Sequence, residues 1–136
     1  RLASALRNVR ARESLESVLL AWAEELRFPP PPFKPATDNL LPLDSPKAMI
    51  REARLQQNCL AHLIDDVLNG YAYFYRFDDV HGTRWTLRFA PVRSAGGEIT
   101  HWALDRAERG GSLSAAPDEF AEIETAVRGE VGQQGE

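Results

Sequence analysis

The stretch from residue 58 to residue 104 decides the fold, and it contains NCLAHLIDDVLNG (58–70), YAYFYRF (71–77), TRWTLRF (83–89) and EITHWAL (98–104). Apolar residues recur at three- and four-residue steps in the first piece, which predicts an amphipathic helix that stops at Gly70. The other three pieces alternate apolar and polar residues, as half-buried β-strands do. Polar residues and glycines between them favour tight reversals. The sequence therefore predicts a helix followed by a three-stranded antiparallel meander.

The chain before this stretch predicts three further segments. Residues 1–28 show helical apolar spacing without a glycine or proline, which predicts a long N-terminal amphipathic helix. Residues 29–44 are rich in proline and predict a stiff connector. Ser45 followed by Pro46 has the form of a helix N-terminus. It predicts a second helix to about residue 57, which either continues into the helix at residue 58 or breaks before it.

The chain after the strands predicts one last helix. Its apolar stripe consists of Phe120, Ile123, Ala126 and Val127, and Gly129 is predicted to end it. Residues 130–136 are then a flexible tail, and residues 45–129 form the main domain. The predicted fold class is α+β: a long N-terminal helix, a proline-rich connector, a helix or broken helix pair, a three-stranded antiparallel meander and a C-terminal helix.

Composition limits the classes of function. The chain has 136 residues, of which 43% are apolar, so it can bury a core as one domain. One cysteine excludes an internal disulfide, and three scattered histidines predict no metal site and no cofactor. No apolar run approaches the about 20 residues of a membrane helix, so we expect a cytoplasmic protein without a membrane span. The net charge of −4 argues against coating of nucleic acid by bulk charge.

Arginines alternate along two of the predicted strands. Arg76, Arg84 and Arg88 are predicted to lie in the same or neighbouring rows of one sheet face, with Thr86 between two of them. Guanidinium groups placed close together fit the recognition of phosphate or carboxylate. The solvated face of a half-buried sheet has the same composition, and the two interpretations stand about equal. Together with Asn58, these four residues are the candidate ligand-binding residues.

A second set of residues is compatible with catalysis. His62 and Asp66 are four residues apart on one helix side, so the carboxylate could orient the imidazole as a general acid or base. Cys59 is a candidate thiolate nucleophile, with His101 as its partner. An exposed histidine and a buried structural cysteine are the more common roles of such residues. The candidate catalytic residues are therefore Cys59, His62 and His101, and no metal ligand is predicted.

Three tyrosines on the first strand have two interpretations. Tyr71, Tyr73 and Tyr75 could stack on unpaired bases, as aromatic side chains do on the sheets of RNA-binding modules. Together with Phe77 on the same side of the strand, they more often form a core whose hydroxyls reach its rim. We favour the core.

The order of several short motifs resembles the PcfJ-like proteins of plasmids and phages. The matching pieces are Ser45-Pro46, Glu52-Ala53-Arg54, Gln57-Asn58-Cys59, Val67-Leu68-Asn69-Gly70, Tyr73-Phe74-Tyr75-Arg76, Arg84-Trp85-Thr86-Leu87-Arg88 and Trp102-Ala103-Leu104. The resemblance covers residues 43–127, with departures at Asn58, where the family has histidine, and at Arg88, where it has an acidic residue. It implies a link to mobile genetic elements and no settled reaction.

Three functions follow as hypotheses. In the first, the chain is a binding or adaptor module of a plasmid, phage or defence assembly, whose arginine-bearing face contacts RNA or DNA phosphate while the N-terminal helix docks a protein partner. In the second, it is a small hydrolase or nuclease with a cysteine, histidine and arginine site. In the third, it is a structural oligomer or an inhibitor held by the first helix. The first hypothesis requires the arginines to gather beside Asn58 and Cys59.

Overall fold

The described part of the chain forms one antiparallel sheet of five strands, in chain order, with three helices. The structure is a computed structural model that describes residue 21, residues 26–57 and residues 63–132. The fold of these residues is α+β. The elements are β1 (Leu40–Pro42), α1 (Pro46–Gln56), α2 (Ile64–Leu68), β2 (Tyr73–Asp78), β3 (Arg84–Arg93), β4 (Ile99–Arg109), β5 (Leu113–Ser114) and α3 (Pro117–Gly132).

The two central hairpins turn through the same backbone pattern. In the β2–β3 turn, the Asp79 N–H donates to the Thr83 carbonyl at 3.0 Å, and the Gly82 N–H donates to the Asp79 carbonyl at 3.1 Å. Gly82 has a φ of +82°, which favours a residue without a Cβ. The Asp79 carboxylate also accepts from the N–H groups of His81 and Thr83, each at 2.9 Å. The β3–β4 turn repeats the backbone pattern at Ser94, Gly97 and Glu98.

The pairing register divides β2 and β3 into two faces. Phe77 lies opposite Trp85 and Arg76 lies opposite Thr86, so alternate residues of both strands share a face. The aromatic face consists of Tyr73, Tyr75, Phe77, Trp85, Leu87 and Phe89. The arginine face consists of Phe74, Arg76, Asp78, Arg84, Thr86 and Arg88. Side chains of α1 and α2 reach the arginine face, whereas α3 lies against the aromatic face.

The proline-rich segment packs on the aromatic face, so it is more than a connector. The Phe33 ring stacks on Tyr75 with 4.6 Å between ring centroids, and the Tyr75 hydroxyl donates to the Phe33 carbonyl at 2.7 Å. The Tyr73 hydroxyl donates to the Pro29 carbonyl at 2.9 Å. Tyr73 and Tyr75 are 2% and 0% exposed, which confirms them as core residues, whereas Tyr71 is 62% exposed and lies outside the core.

The burial of Tyr73 makes the fold sensitive to alkaline pH. Burial, with a smaller contribution from Asp44, raises the pKa of Tyr73 to about 12. A tyrosine in the unfolded chain has a pKa of about 10. The contribution of Tyr73 to the free energy of unfolding is therefore fully present below that pH, and it is lost as the pH rises towards the higher pKa of the folded state. We expect Tyr73→Phe to lose less unfolding free energy over this interval than the unchanged chain, as measured by urea denaturation at each pH. Tyr71→Phe is the exposed control, and an equal loss in both variants would contradict the prediction.

Helix α1 is fastened to the sheet at its C-terminal end. It begins where the Ser45 hydroxyl accepts from the Ala48 N–H at 3.1 Å, and it ends at Gln57, whose φ is +53°. The Gln56 carbonyl accepts from the Gly111 N–H at 2.7 Å, and the Gln56 side chain donates to the Arg84 carbonyl at 2.9 Å. Because Gln57 terminates α1, the helices before and after it are separate elements.

The predicted three-stranded meander is wrong, because β1 and β5 extend the sheet at both sides. β1 has three residues and lies within the predicted connector of residues 29–44, where Pro42 at its end hides the strand pattern. β5 has two residues, too few to show alternation. β4 continues to Arg109, beyond the predicted end at Leu104. The prediction stopped at Leu104 because the charged residues after it interrupt the apolar alternation.

Both predicted ends of the chain also need correction. The predicted long N-terminal helix is not part of the described fold, since residues 26–39 contain no helix, and residues 1–20 and 22–25 lie outside the described residues. Helix α3 passes Gly129 and ends at Gly132, because Val131 packs against the core and extends the apolar stripe. The predicted tail is therefore wrong for residues 130–132, and residues 133–136 lie outside the described residues.

Candidate functional site

The arginine face brings together the four sheet residues predicted to bind a ligand. Arg76 lies directly opposite Thr86, and Arg88 follows Thr86 by two residues on the same strand. Directly opposite residues have Cβ atoms about 5 Å apart, and residues two apart along a strand are separated by about 7 Å. Arg84 lies two residues from Thr86 in the other direction. Arg84, Thr86 and Arg88 therefore form one row along β3, and Arg76 lies beside the middle of that row on β2.

Arg84 is occupied by a structural partner. Its Nε donates to Glu52 Oε2 at 2.9 Å, and its Nη2 donates to Glu52 Oε1 at 2.6 Å. Glu52 is only 4% exposed, and its hydrogen bonds raise the pKa of Arg84. A ligand at Arg84 would leave a buried carboxylate without a partner, which is costly. Arg84 therefore joins α1 to β3, and Arg76, Thr86 and Arg88 remain as candidate ligand-binding residues of the sheet.

The other three residues carry buried polar atoms that lack a partner. The Nε atoms of Arg76 and Arg88 and the Oγ1 atom of Thr86 are buried, and none of them has a hydrogen-bond partner among the described residues. Thr86 as a whole is 5% exposed. A buried donor left unpaired costs about 1–3 kcal/mol, so a water molecule or a ligand that pairs with these groups would be stabilising. We call these three residues the arginine–threonine cluster.

Carboxylates surround the arginine–threonine cluster and balance its charge. Arg76 Nη2 donates to Asp78 Oδ2 at 2.8 Å. Arg88 lies 3.5 Å from Asp105 and 3.9 Å from Asp66, which are ion pairs longer than a good hydrogen bond. Arg88 makes no hydrogen bond to a side chain of residues 26–57 or 63–132, so its N–H groups are the most available in the cluster. Three carboxylates thus stand against the two guanidinium groups, and they oppose a broad anionic surface at this face.

The catalytic candidates do not meet the arginine–threonine cluster within the described residues. His101 is exposed, lies opposite Val92 near the β3–β4 turn, and places Nδ1 3.0 Å from Thr100 Oγ1. Thr86 lies opposite Glu108, so His101 is about 20 Å further along β4. Asn58, Cys59 and His62 lie outside the described residues, so their predicted convergence with the arginines stays a prediction.

The counter-charges of the cluster could not be assigned from sequence. Asp66 was visible as a helix neighbour of His62, yet its partner is Arg88 on a strand more than twenty residues away. Asp105 lies one residue beyond the predicted end of its strand at Leu104, so no pattern placed it beside Arg88. No group of three side chains of the metal-ligand types lies together in the part of the chain that the structure describes.

Two further observations bear on the class of protein. None of the helices formed by the described residues combines the length and the hydropathy needed to cross a bilayer. No protein-family model matches this chain, and no curated protein or solved structure matches it either.

Proposed function

We propose that this chain is a binding module that holds one phosphate group of an RNA or DNA strand at the arginine–threonine cluster. In keeping with the resemblance of its motifs, it acts as an adaptor within a plasmid, phage or defence assembly in the cytoplasm. The observation that carries the proposal is the set of buried, unpartnered polar atoms on Arg76, Thr86 and Arg88. A phosphate oxygen accepts from all three types of group.

The balance of charge supports contact with one phosphate group rather than with many successive phosphate groups of a strand. Arg76 and Arg88 face Asp78, Asp66 and Asp105, so the net charge beside the cluster is not positive. A polyanion lying along this face would meet those carboxylates. Affinity should therefore be modest, and its dependence on salt should correspond to one or two phosphate contacts, a slope of about −0.7 to −1.4 for a single strand.

Arg88→Ala tests the proposal directly. We expect it to weaken binding of a labelled single-stranded RNA about tenfold in filter-binding titrations, because it removes N–H donors that make no hydrogen bond to another side chain of the described residues. The salt slope should become less negative by about 0.7 between about 50 and about 200 mM salt. Arg93→Ala is the matched control, since Arg93 donates to the Gly97 carbonyl in the β3–β4 turn and lies away from the cluster. Equal losses in both variants would overturn the proposal.

Thr86→Val separates binding from folding at the same site. Valine keeps the shape of threonine and removes a buried hydroxyl that has no partner among the described residues. We expect the variant to be as stable as the unchanged chain or more stable, since an unsatisfied polar group is removed, yet to bind the RNA more weakly. A loss of stability would mean that the hydroxyl already has a structural partner, and the cluster would not be a binding site.

A further inference from the structure

A concave surface lies on the aromatic face, on the opposite side of the sheet from the arginine–threonine cluster. It runs between the β2–β3 turn and helix α3, and its volume is about 290 Å³. Phe77, Trp85 and Ile123, which are 5%, 2% and 3% exposed, form its apolar floor. Val80 stands at its lip and is 95% exposed. We call this surface the α3 groove.

The rim of the α3 groove is acidic. Asp79 and Glu122 line it from the two sides, and Glu122 has no ion pair with a residue of the described ranges. Burial raises the pKa of Asp79, but hydrogen bonds from the Trp85 ring and from the Thr83 and His81 N–H groups outweigh burial and hold that pKa below its usual range. Asp79 is therefore ionised at neutral pH. Asp79 and Glu122 thus place two carboxylates on the rim of an aromatic floor, and among the described residues neither pairs with a lysine or an arginine.

A third acid shows that a cation fits this environment. Glu119 also lines the groove, and it pairs with Arg109 at 3.3 Å. The Arg109 guanidinium carbon lies 5.5 Å from the centre of the Trp85 ring, in a cation–π contact. The chain thus already places one guanidinium between this ring and a carboxylate. The Asp79 and Glu122 end of the groove offers two further carboxylates to a second cation.

We infer that the α3 groove receives an arginine or lysine side chain from an extended segment of a partner protein, with an apolar residue beside it on Val80. The apolar stem of such a side chain would cover Phe77 and Trp85, while its charged end would lie between Asp79 and Glu122. Charge complementarity favours this occupant. An anionic or purely apolar segment would offer no positive charge to the carboxylates of Asp79 and Glu122. The groove is independent of the phosphate site on the opposite face.

Titration with short blocked peptides tests the inference. The probe is acetyl-Leu-Arg-Leu-amide, and acetyl-Leu-Glu-Leu-amide is its charge-reversed control. In ¹H–¹⁵N spectra of the labelled chain, the arginine peptide is expected to shift the Trp85 indole N–H signal saturably, because this N–H donates to Asp79 at 2.9 Å on the groove floor. A shift of equal size with the glutamate peptide would overturn the inference.

Variants on α3 supply the matched comparison. Glu122→Arg is expected to weaken the arginine peptide at least about fivefold, since it turns a rim attraction into a repulsion. Glu124→Arg makes the same charge change on the same helix outside the groove, and we expect the affinity to stay within twofold or so of the unchanged chain. Unchanged binding by Glu122→Arg would overturn the inference. The N-terminal segment of this chain carries Arg7, Arg10 and Arg12, which are cations of the kind proposed for the groove. Replacing all three with glutamine should leave the affinity for the arginine peptide unchanged. A gain in affinity would show that this segment competes for the groove, and it would overturn the inference of a partner protein.

Discussion

Trp85→Ala is expected to remove about 3–5 kcal/mol of unfolding free energy, the largest stability effect of any single change considered. Trp85 is 2% exposed, and its indole N–H is the donor that joins β3 to Asp79 at 2.9 Å. Alanine would leave a cavity in the aromatic face and would take the ring from beneath Arg109. Since a domain of this size is stable by about 5–15 kcal/mol, much of the variant would unfold at low urea. Urea denaturation followed by circular dichroism measures the change.

Two further variants make the Trp85 result interpretable. Trp102→Ala removes the same side chain from a partly buried position on β4 and is expected to lose less than half as much. Trp85→Phe keeps an aromatic ring but loses the hydrogen bond to Asp79, so it should lie between the unchanged chain and Trp85→Ala. The register places Trp102 on the same face as Phe89, so a more damaging Trp102→Ala would show that the core is centred further along that face and not on Trp85.

Arg84→Met is expected to remove about 3 kcal/mol, because it leaves the Glu52 carboxylate buried without its partner. Glu52 is 4% exposed and accepts two hydrogen bonds from Arg84. The double change Glu52→Leu with Arg84→Met should recover most of this loss, since two apolar side chains can replace a buried ion pair at little cost. Urea denaturation of the single and double variants gives both quantities.

Arg76→Met is the matched control for Arg84→Met. Arg76 also pairs with an acid, but the side chains of Arg76 and Asp78 are 29% and 35% exposed. Exposed pairs contribute about 0–1 kcal/mol, so the control should lose little stability. A similar loss from Arg76→Met and Arg84→Met would show that Glu52 is not the buried anchor of α1.

The central part of the fold was predictable because its patterns are local. Alternation in β2 and β3 identified both strands, and the glycines at positions 82 and 97 identified the turns between β2, β3 and β4. The Ser45-Pro46 pair identified the start of α1. In each case the residues that determine the structure are close in sequence, so a short window contains the whole signal.

The remaining parts depend on contacts between distant residues. β1 forms only because its three residues pair with β2, and its own sequence ends in a proline. The same limit applies to the candidate site. Alternation placed Arg76, Arg84, Thr86 and Arg88 on one face, but it could not show that Glu52, thirty-two residues away, occupies Arg84 and leaves Arg76 and Arg88 as the available arginines. The α3 groove joins a turn to a helix about forty residues later and had no sequence signal.

The sequential order of the five strands has a consequence for how the chain folds. β3, β4 and β5 are each hydrogen-bonded to the strand that precedes them through a short connection, whereas β1 joins β2 across residues 43–72. The pairings from β2 to β5 therefore close short loops, and the contact order of this part of the sheet is low. The sheet can therefore grow by adding one hairpin to the next, starting from the β2–β3 turn. An all-β arrangement of similar size with crossed connections would have to close longer loops before any pairing, and it would fold more slowly.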